Sequence, residues 1–307
     1  MSDIELTSSE IDRDVYLRGL NECFHGWGEE ALYAWCFERD AGAGVADQMV
    51  ATIDDDVVGG SAVVYRCVEG VGGAKASVGI MCGSWTLPAS RGRGCFSRMI
   101  ERSVALSKAR GAALLIAFVT ETNPSKRRLE AAGSLMVPTG YCVAEVADDG
   151  SALVSDGNVA QADPRAAQAA SGVRFVYGTQ EAWGGQWIKR PSPNRAVALP
   201  SGATAIVEEA ADTDRVLALF GSQDRLADLE VLRRDAAARG RKTFFFSTVQ
   251  EELSKAPNHG FKVIPGYVTV LVADEDACGA WLGQRVVDAK AATDLLGGWF
   301  LEHGDRM

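Results

Sequence analysis

Trp85-Thr86-Leu87-Pro88-Ala89-Ser90-Arg91-Gly92-Arg93-Gly94, followed by Cys95-Phe96-Ser97-Arg98-Met99-Ile100-Glu101-Arg102, is the stretch on which the reading of this chain turns. A β-prone segment ends in a basic turn punctuated by glycine and opens at once into a helix-like run. Such a junction leaves backbone N–H groups unpaired at the positive end of a helix dipole, where phosphate is held by hydrogen bonds and by charge. Glycine-rich strand-to-helix turns also arise for packing alone, so the rest of the chain has to agree.

Upstream, residues 11–24 read as an amphipathic helix and a second helix runs through Trp35. Asp54-Asp55-Asp56 marks a hairpin between β-branched runs at 49–53 and 57–65. A third strand is expected over 77–87, then a helix over 94–110 bounded by Gly111. Downstream come a buried strand at 113–119, a short helix after Asn123-Pro124-Ser125, and a final β pair over 135–146.

The turn Arg91-Gly92-Arg93-Gly94-Cys95-Phe96 resembles the acyl-CoA site of the GNAT superfamily of N-acyltransferases: Arg or Gln, two residues, Gly, one residue, then Gly or Ala. Phe96 stands where that family has a small residue. The order of helices, three antiparallel strands, helix, strand, short helix and strands also matches the family core, over roughly the first half of the chain. Asn123-Pro124-Ser125, Leu129-Glu130 and Gly133 are similar to a second family pattern, with Leu129 in place of its Tyr and Ser134 in place of its Phe.

The resemblance implies an α/β (α+β) GNAT fold, a mixed central sheet flanked by helices. Two parallel strands, 77–87 and 113–119, splay apart at their C-terminal ends to admit a pantetheine arm. Backbone groups near Trp85 and Leu87 bond the pantetheine amides and polarise the thioester carbonyl. Arg91 and Arg93 bring charge to the pyrophosphate beside the backbone of Gly92, Gly94, Cys95 and Phe96, and Asn123 and Ser125 complete the donor site. Lys126, Arg127 and Arg128 either reach a further phosphate or form a solvated helix face. Cys95, at a helix N-terminus, is read as a packing residue before a reactive thiol.

The donor implied is acyl-CoA, or a phosphopantetheine thioester on an acyl-carrier protein, and the acceptor is the amine of a small molecule. Deprotonating that amine needs a base or a water chain. Met81-Cys82-Gly83-Ser84-Trp85 carries no carboxylate, which leaves Glu121, His25 and Glu29 as candidates. Tyr141 is a candidate proton donor to the departing thiolate, or a structural tyrosine, since Tyr267 holds the matching place further on.

That match belongs to an internal repeat. The run 242–274 parallels 113–148, each with a buried strand, a short helix, a Gly, an apolar pair, Pro, Gly-Tyr and a β run ending in Val-Ala-Asp. The division read from it is a GNAT domain at 1–148, a polar linker at 149–171, and a shortened, degenerate GNAT-like domain at 172–307. Where the first copy has Arg-Gly-Arg-Gly, the second has an acidic stretch from Asp212 to Asp224, which repels a phosphate donor. One donor site per chain is therefore expected.

Composition fits. A chain of 307 residues, 47% hydrophobic, is long enough for two modest domains. The N-terminus lacks a signal-peptide pattern and no long apolar run occurs, so a cytoplasmic protein with no membrane partner is expected. Seven cysteines without a Cys-x-x-Cys pair imply neither a disulfide framework nor a metal site. A net charge of −10 argues against nucleic-acid partners, and with them against aminoacyl transfer from tRNA. The tandem arrangement suits a specialised small-molecule pathway such as antibiotic biosynthesis or modification. The competing expectation is a non-catalytic acyl-CoA sensor or scaffold.

Overall fold

A computed structural model describes residues 4–9, 11–70, 72–146, 151, 154–157, 172–286 and 288–306. The chain divides into two units: Met1–Val137 with Val268–Leu296, and Pro138–Tyr267 with Gly297–Arg306.

The first unit opens with β1 (Glu5–Thr7), α1 (Arg13–Phe24) and α2 (Glu30–Tyr33), which runs into a π-helical turn at Ala34–Glu38. β2 (Asp47–Ile53), β3 (Asp56–Glu69) and β4 (Lys75–Thr86) continue β1 as an antiparallel sheet. α3 (Cys95–Ala109) then returns the chain to β5 (Leu114–Thr120), which runs parallel to β4, and α4 (Pro124–Ala131) follows. The β2–β3 hairpin closes through Asp54 and Asp55, both with positive φ (53° and 67°), a conformation that aspartate tolerates better than most residues.

Helix α1 starts where Asp12 Oδ1 accepts the N–H groups of Asp14 (2.8 Å) and Val15 (3.1 Å), and it buries Tyr16, Gly19 and Leu20. Helix α3 buries Cys95, Met99, Ile100, Ser103 and Ser107, a single face at helical spacing. Gly79 lets that helix lie close to the sheet: a Cβ there would be 2.5 Å from Ser107 Oγ. Asp47 ties the end of α3 to the sheet, accepting from Tyr65 Oη at 2.8 Å and from Arg110 Nη2 at 2.6 Å.

In the second unit, β6 (Leu135–Ala144) enters at Pro138, followed by β7 (Ser155–Gly157), β8 (Arg174–Val176) and α5 (Gln180–Trp187). β9 (Asn194–Ala198), β10 (Thr204–Ala210) and β11 (Thr213–Phe220) form an antiparallel meander. α6 (Arg225–Ala238), the parallel strand β12 (Lys242–Ser247), α7 (Gln250–Lys255) and β13 (Lys262–Val272) complete the copy. The order β9-β10-β11-α6-β12-α7-β13 repeats β2-β3-β4-α3-β5-α4-β6 element for element.

The repeats trade their last strands. The stretch of β13 from Val268 onward belongs to the first unit, beside β5, and leads into α8 (Glu275–Leu282) and α9 (Ala289–Leu296). β6 pairs with β12 in the second unit, Thr243↔Ala144 through Ser247↔Gly140. The expected β pair at 135–146 is thus one continuous strand. Pro138-Thr139-Gly140 runs straight instead of turning, because Gly140 serves close packing: the side chains of Leu253 and Val263 fill the space a Cβ would take.

Most of the linker expected at 149–171 lies outside the described residues. Within it, Ser155–Gly157 pairs antiparallel with β9.

Candidate functional site

Strands β4 and β5 pair through Val78↔Leu114, Gly79↔Leu115 and Ile80↔Ile116, and then part, although β4 continues to Thr86 and β5 to Thr120. A bulge in β4 drives the parting. Its pairing with β3 jumps from Ala62↔Cys82 to Gly60↔Trp85, so Gly83 and Ser84 together face Ser61. Gly83 holds φ 55°, and a Cβ there would lie 2.8 Å from the Phe37 ring. Tyr16 Oη donates to Gly83 O at 3.1 Å and pins the bulge from α1. The Trp85 indole fills the space above Gly19 and Gly60 and meets the Tyr16 ring edge-on at 5.9 Å.

The opening continues as a groove with about 1010 Å³ of empty space, partly open to solvent. Its floor is Ser84, Trp85 and Thr86, its far end is the turn Arg91, Gly92 and Gly94 with Cys95, Phe96 and Ser97, and one wall is Asn123, Pro124, Ser125 and Arg128. Cys23 and Phe24, at the end of α1, close the remaining side.

At the far end, Gly94 caps α3 with φ 96° and no side chain satisfies the helix start. The first bond of the helix is from Arg98 N–H to Gly94 O, 3.2 Å, so the N–H groups of Cys95, Phe96 and Ser97 precede the ladder. Gly92 likewise holds a positive φ of 81° that a side chain would strain. Arg91 Nε donates to Thr86 O at 3.2 Å, which fixes its charge at the end of β4. Burial pushes the Cys23 thiol up, against the pull of the neighbouring Arg91 guanidinium.

Of the donor-site residues expected from sequence, Trp85, Arg91, Gly92, Gly94, Cys95, Phe96, Asn123 and Ser125 line this groove. Asn123 also caps α4, accepting Ser125 N–H at 2.8 Å. Cys95 is buried and its thiol is raised chiefly by that burial, which fits packing and not reactivity.

Other expected residues lie elsewhere. Leu87 is not among the lining residues: its N–H is given to Val58 O at 2.8 Å and its carbonyl accepts Ser90 N–H at 2.9 Å. Arg93 is exposed and is not among the lining residues. Of the three basic residues on α4, Arg128 reaches the groove, whereas Lys126 pairs with Glu121 at 2.6 Å.

The acid–base candidates are not gathered at the groove either. Glu121 is outside its lining and held by Lys126. His25 is the exposed left-handed C-cap of α1 (φ 53°) and Glu29 the exposed N-cap of α2. Tyr141 belongs to the second unit, buried against Phe246 (5.3 Å between ring centroids), with the Arg306 guanidinium 4.5 Å over its ring. Cys23, Phe24 and Ser84 are groove residues that sequence reasoning missed. Phe24, half exposed at the end of an amphipathic helix, was the one visible signal.

The second unit treats its matching positions differently. β11 and β12 also pair for three residues, Thr213↔Lys242 to Arg215↔Phe244, and then part. Here the chain's own segment lies across the gap. Leu219 N–H donates to Glu302 Oε1 at 3.0 Å, and Leu301 N–H to Thr248 Oγ1 at 3.1 Å. Arg225 Nη1 meets Glu302 Oε1 at 3.0 Å. The start of α6 is closed by Asp224, which accepts Ala227 N–H at 3.1 Å, so its amides and charge are set against a phosphate.

A mixed sheet with a bulged, splaying parallel pair and a glycine turn opening into a helix defines the fold of a GNAT acyltransferase. Residues 5–129 match the family profile described as an acetyltransferase (GNAT) domain. The whole fold is similar to a GCN5-related N-acetyltransferase from Kribbella flavida, at 18% identity over 91% of this chain and 74% of that one, with a TM-score of 0.60. A tandem GNAT protein from the clavulanic acid biosynthesis pathway matches at 13% identity, covering 89% and 99%, with a TM-score of 0.58. The Saccharomyces cerevisiae N-myristoyltransferase matches at 10% identity, covering 88% and 80%, with a TM-score of 0.62. No curated protein matches the chain in sequence at a significant level.

Among the described residues no helix is long and apolar enough to cross a membrane. No group of three or more His, Cys, Asp or Glu suited to hold a metal occurs among them.

Proposed function

We propose that this chain is an N-acyltransferase that moves an acyl group from a pantetheine thioester, acyl-CoA by default, to the amine of a small molecule. One observation carries the reading: a single groove joins the β4–β5 splay to the uncapped start of α3, with Arg91 fixed between them. The amides of Cys95, Phe96 and Ser97 and the charges of Arg91 and Arg128 suit a pyrophosphate. The unpaired edge of β4 suits the pantetheine amides, which add to it as a strand would. Phe96 narrows the cradle, so a phosphopantetheine arm on a carrier protein is the alternative donor.

The second unit acts without a donor of its own. Its gap is crossed by Leu301 and Glu302, and its helix start is capped by Asp224. The domain reading that follows is a donor-binding first unit and a degenerate second one, which supports the acceptor side. Likeness in architecture to the tandem GNAT protein of the clavulanic acid biosynthesis pathway supports a role in specialised metabolism such as antibiotic biosynthesis or modification, and a cytoplasmic location is proposed with it.

A second reading, an acyl-CoA sensor, draws on the lining itself, which contains no Asp, Glu or His. Incubation with acetyl-CoA and a panel of primary amines, with product detected by mass spectrometry, separates the two. Acylated product supports transfer, and saturable binding without product supports the sensor.

A further inference from the structure

Ser61 is fully buried in β3, flanked by Gly59, Gly60 and Ala62, and its Oγ lies 2.7 Å from Ser84 Oγ. Ser84 sits on the β4 bulge and lines the donor groove, beyond the point where β4 and β5 cease to pair. A hydroxyl in a strand core is costly unless it is hydrogen-bonded, and Ser61 has this one partner.

Counting protons orders the pair. Two hydroxyls carry two protons, and one of them lies between the oxygens. If Ser84 were the donor, the Ser61 proton would be left in the core, where no other described atom accepts it. Ser61 is therefore the donor, and the Ser84 proton remains to be given on the groove side. The bulge, fixed by Gly83 and by Tyr16, holds that hydroxyl in place.

We propose that Ser84, oriented by Ser61, donates a hydrogen bond to the thioester carbonyl oxygen as that oxygen gains negative charge during acyl transfer. The inference rests on the acyltransferase reading above. The amine nitrogen forms the new N–C bond and the carbonyl π pair moves to oxygen, where Ser84 meets it. On collapse the C–S bond breaks with its electron pair on sulfur, which takes a proton from solvent while the nitrogen releases one. Ser84 keeps its proton throughout. Ser84 is a catalytic residue in this scheme, and Ser61 is a positioning residue.

The test uses full-length protein, acetyl-CoA and the amine panel, with CoA release followed by chromatography. For S84A, kcat falls about 10- to 100-fold or more, in line with loss of one oxyanion donor, while affinity for acetyl-CoA by calorimetry stays within about twofold. S84T, which keeps a hydroxyl, recovers most of the rate. S61A costs less, about three- to tenfold, through misorientation. The S61A/S84A double variant is no slower than S84A, because Ser61 acts through Ser84. An S84A variant with wild-type kcat overturns the proposal, as does an S84T variant no better than S84A with unchanged melting temperature, or a double variant in which the two losses multiply. Wild-type protein that binds acetyl-CoA but acylates no amine overturns the acyltransferase reading, and this role falls with it.

Discussion

Arg91 acts in two ways: its Nε anchors the turn to Thr86 O, and its guanidinium charge in the groove lining acts on the neighbouring Cys23 thiol. Replacing it with alanine is expected to weaken acetyl-CoA about 10- to 100-fold, the cost of a charge-assisted bond, with calorimetry as the readout. At this scale the sequence was most informative where chemistry is local. Gly92, Gly94, Cys95 and Phe96 follow from a strand, a turn and a helix in succession, and Asn123 from the cap it forms. For Leu87 the sequence does not show which neighbour claims its backbone N–H, and in the structure Val58 O accepts it. Cys23 and Phe24 reach the groove through the packing of α1, distant in sequence from the turn, which no local pattern encodes, whereas Arg128 belongs to a basic run that the sequence shows.

Among the elements, β4 decides the site, and its bulge decides β4. Gly83→Ala would place a side chain at positive φ and against Phe37. Expected results are a loss of about 1–3 kcal/mol in denaturant titrations and a weakened acetyl-CoA site. A glycine inside a strand is a bulge signal, yet residues 81–85 were legible only as a strand lacking a carboxylate, because the bulge needs Tyr16 and Phe37 from other elements to hold it. Gly140 misled in the opposite sense, reading as a turn where it serves close packing within β6. The tie between α3 and the sheet makes a further prediction. Burial alone would raise the Asp47 carboxyl, but hydrogen bonds from Arg110 and Tyr65 outweigh it and hold the group below its ordinary value of 3.8. A depressed carboxylate stabilises the fold above that value and loses the effect as pH falls through the folded one. Asp47→Asn should therefore cost about 1–3 kcal/mol at neutral pH, a deficit that shrinks below about pH 4 in a denaturation series.

For the whole molecule, the last three elements of the second copy, β12, α7 and β13, were legible from the repeat, because the buried strand, the short helix and the strand that carries Gly-Tyr recur at matching intervals. The trade of last strands was not, since a strand's partner is set by which edge is open and not by its own pattern. The chain also spends its final described segment, Gly297–Arg306, within the second unit, where Leu301 and Glu302 lie across the gap between β11 and β12. That contrast makes the central claim countable. Calorimetric titration of the full-length protein with acetyl-CoA, repeated on Arg91→Ala, tests it most directly. One site per chain that is lost or strongly weakened in the variant is the expected result. Two equivalent sites, no binding, or binding indifferent to Arg91 would contradict the account.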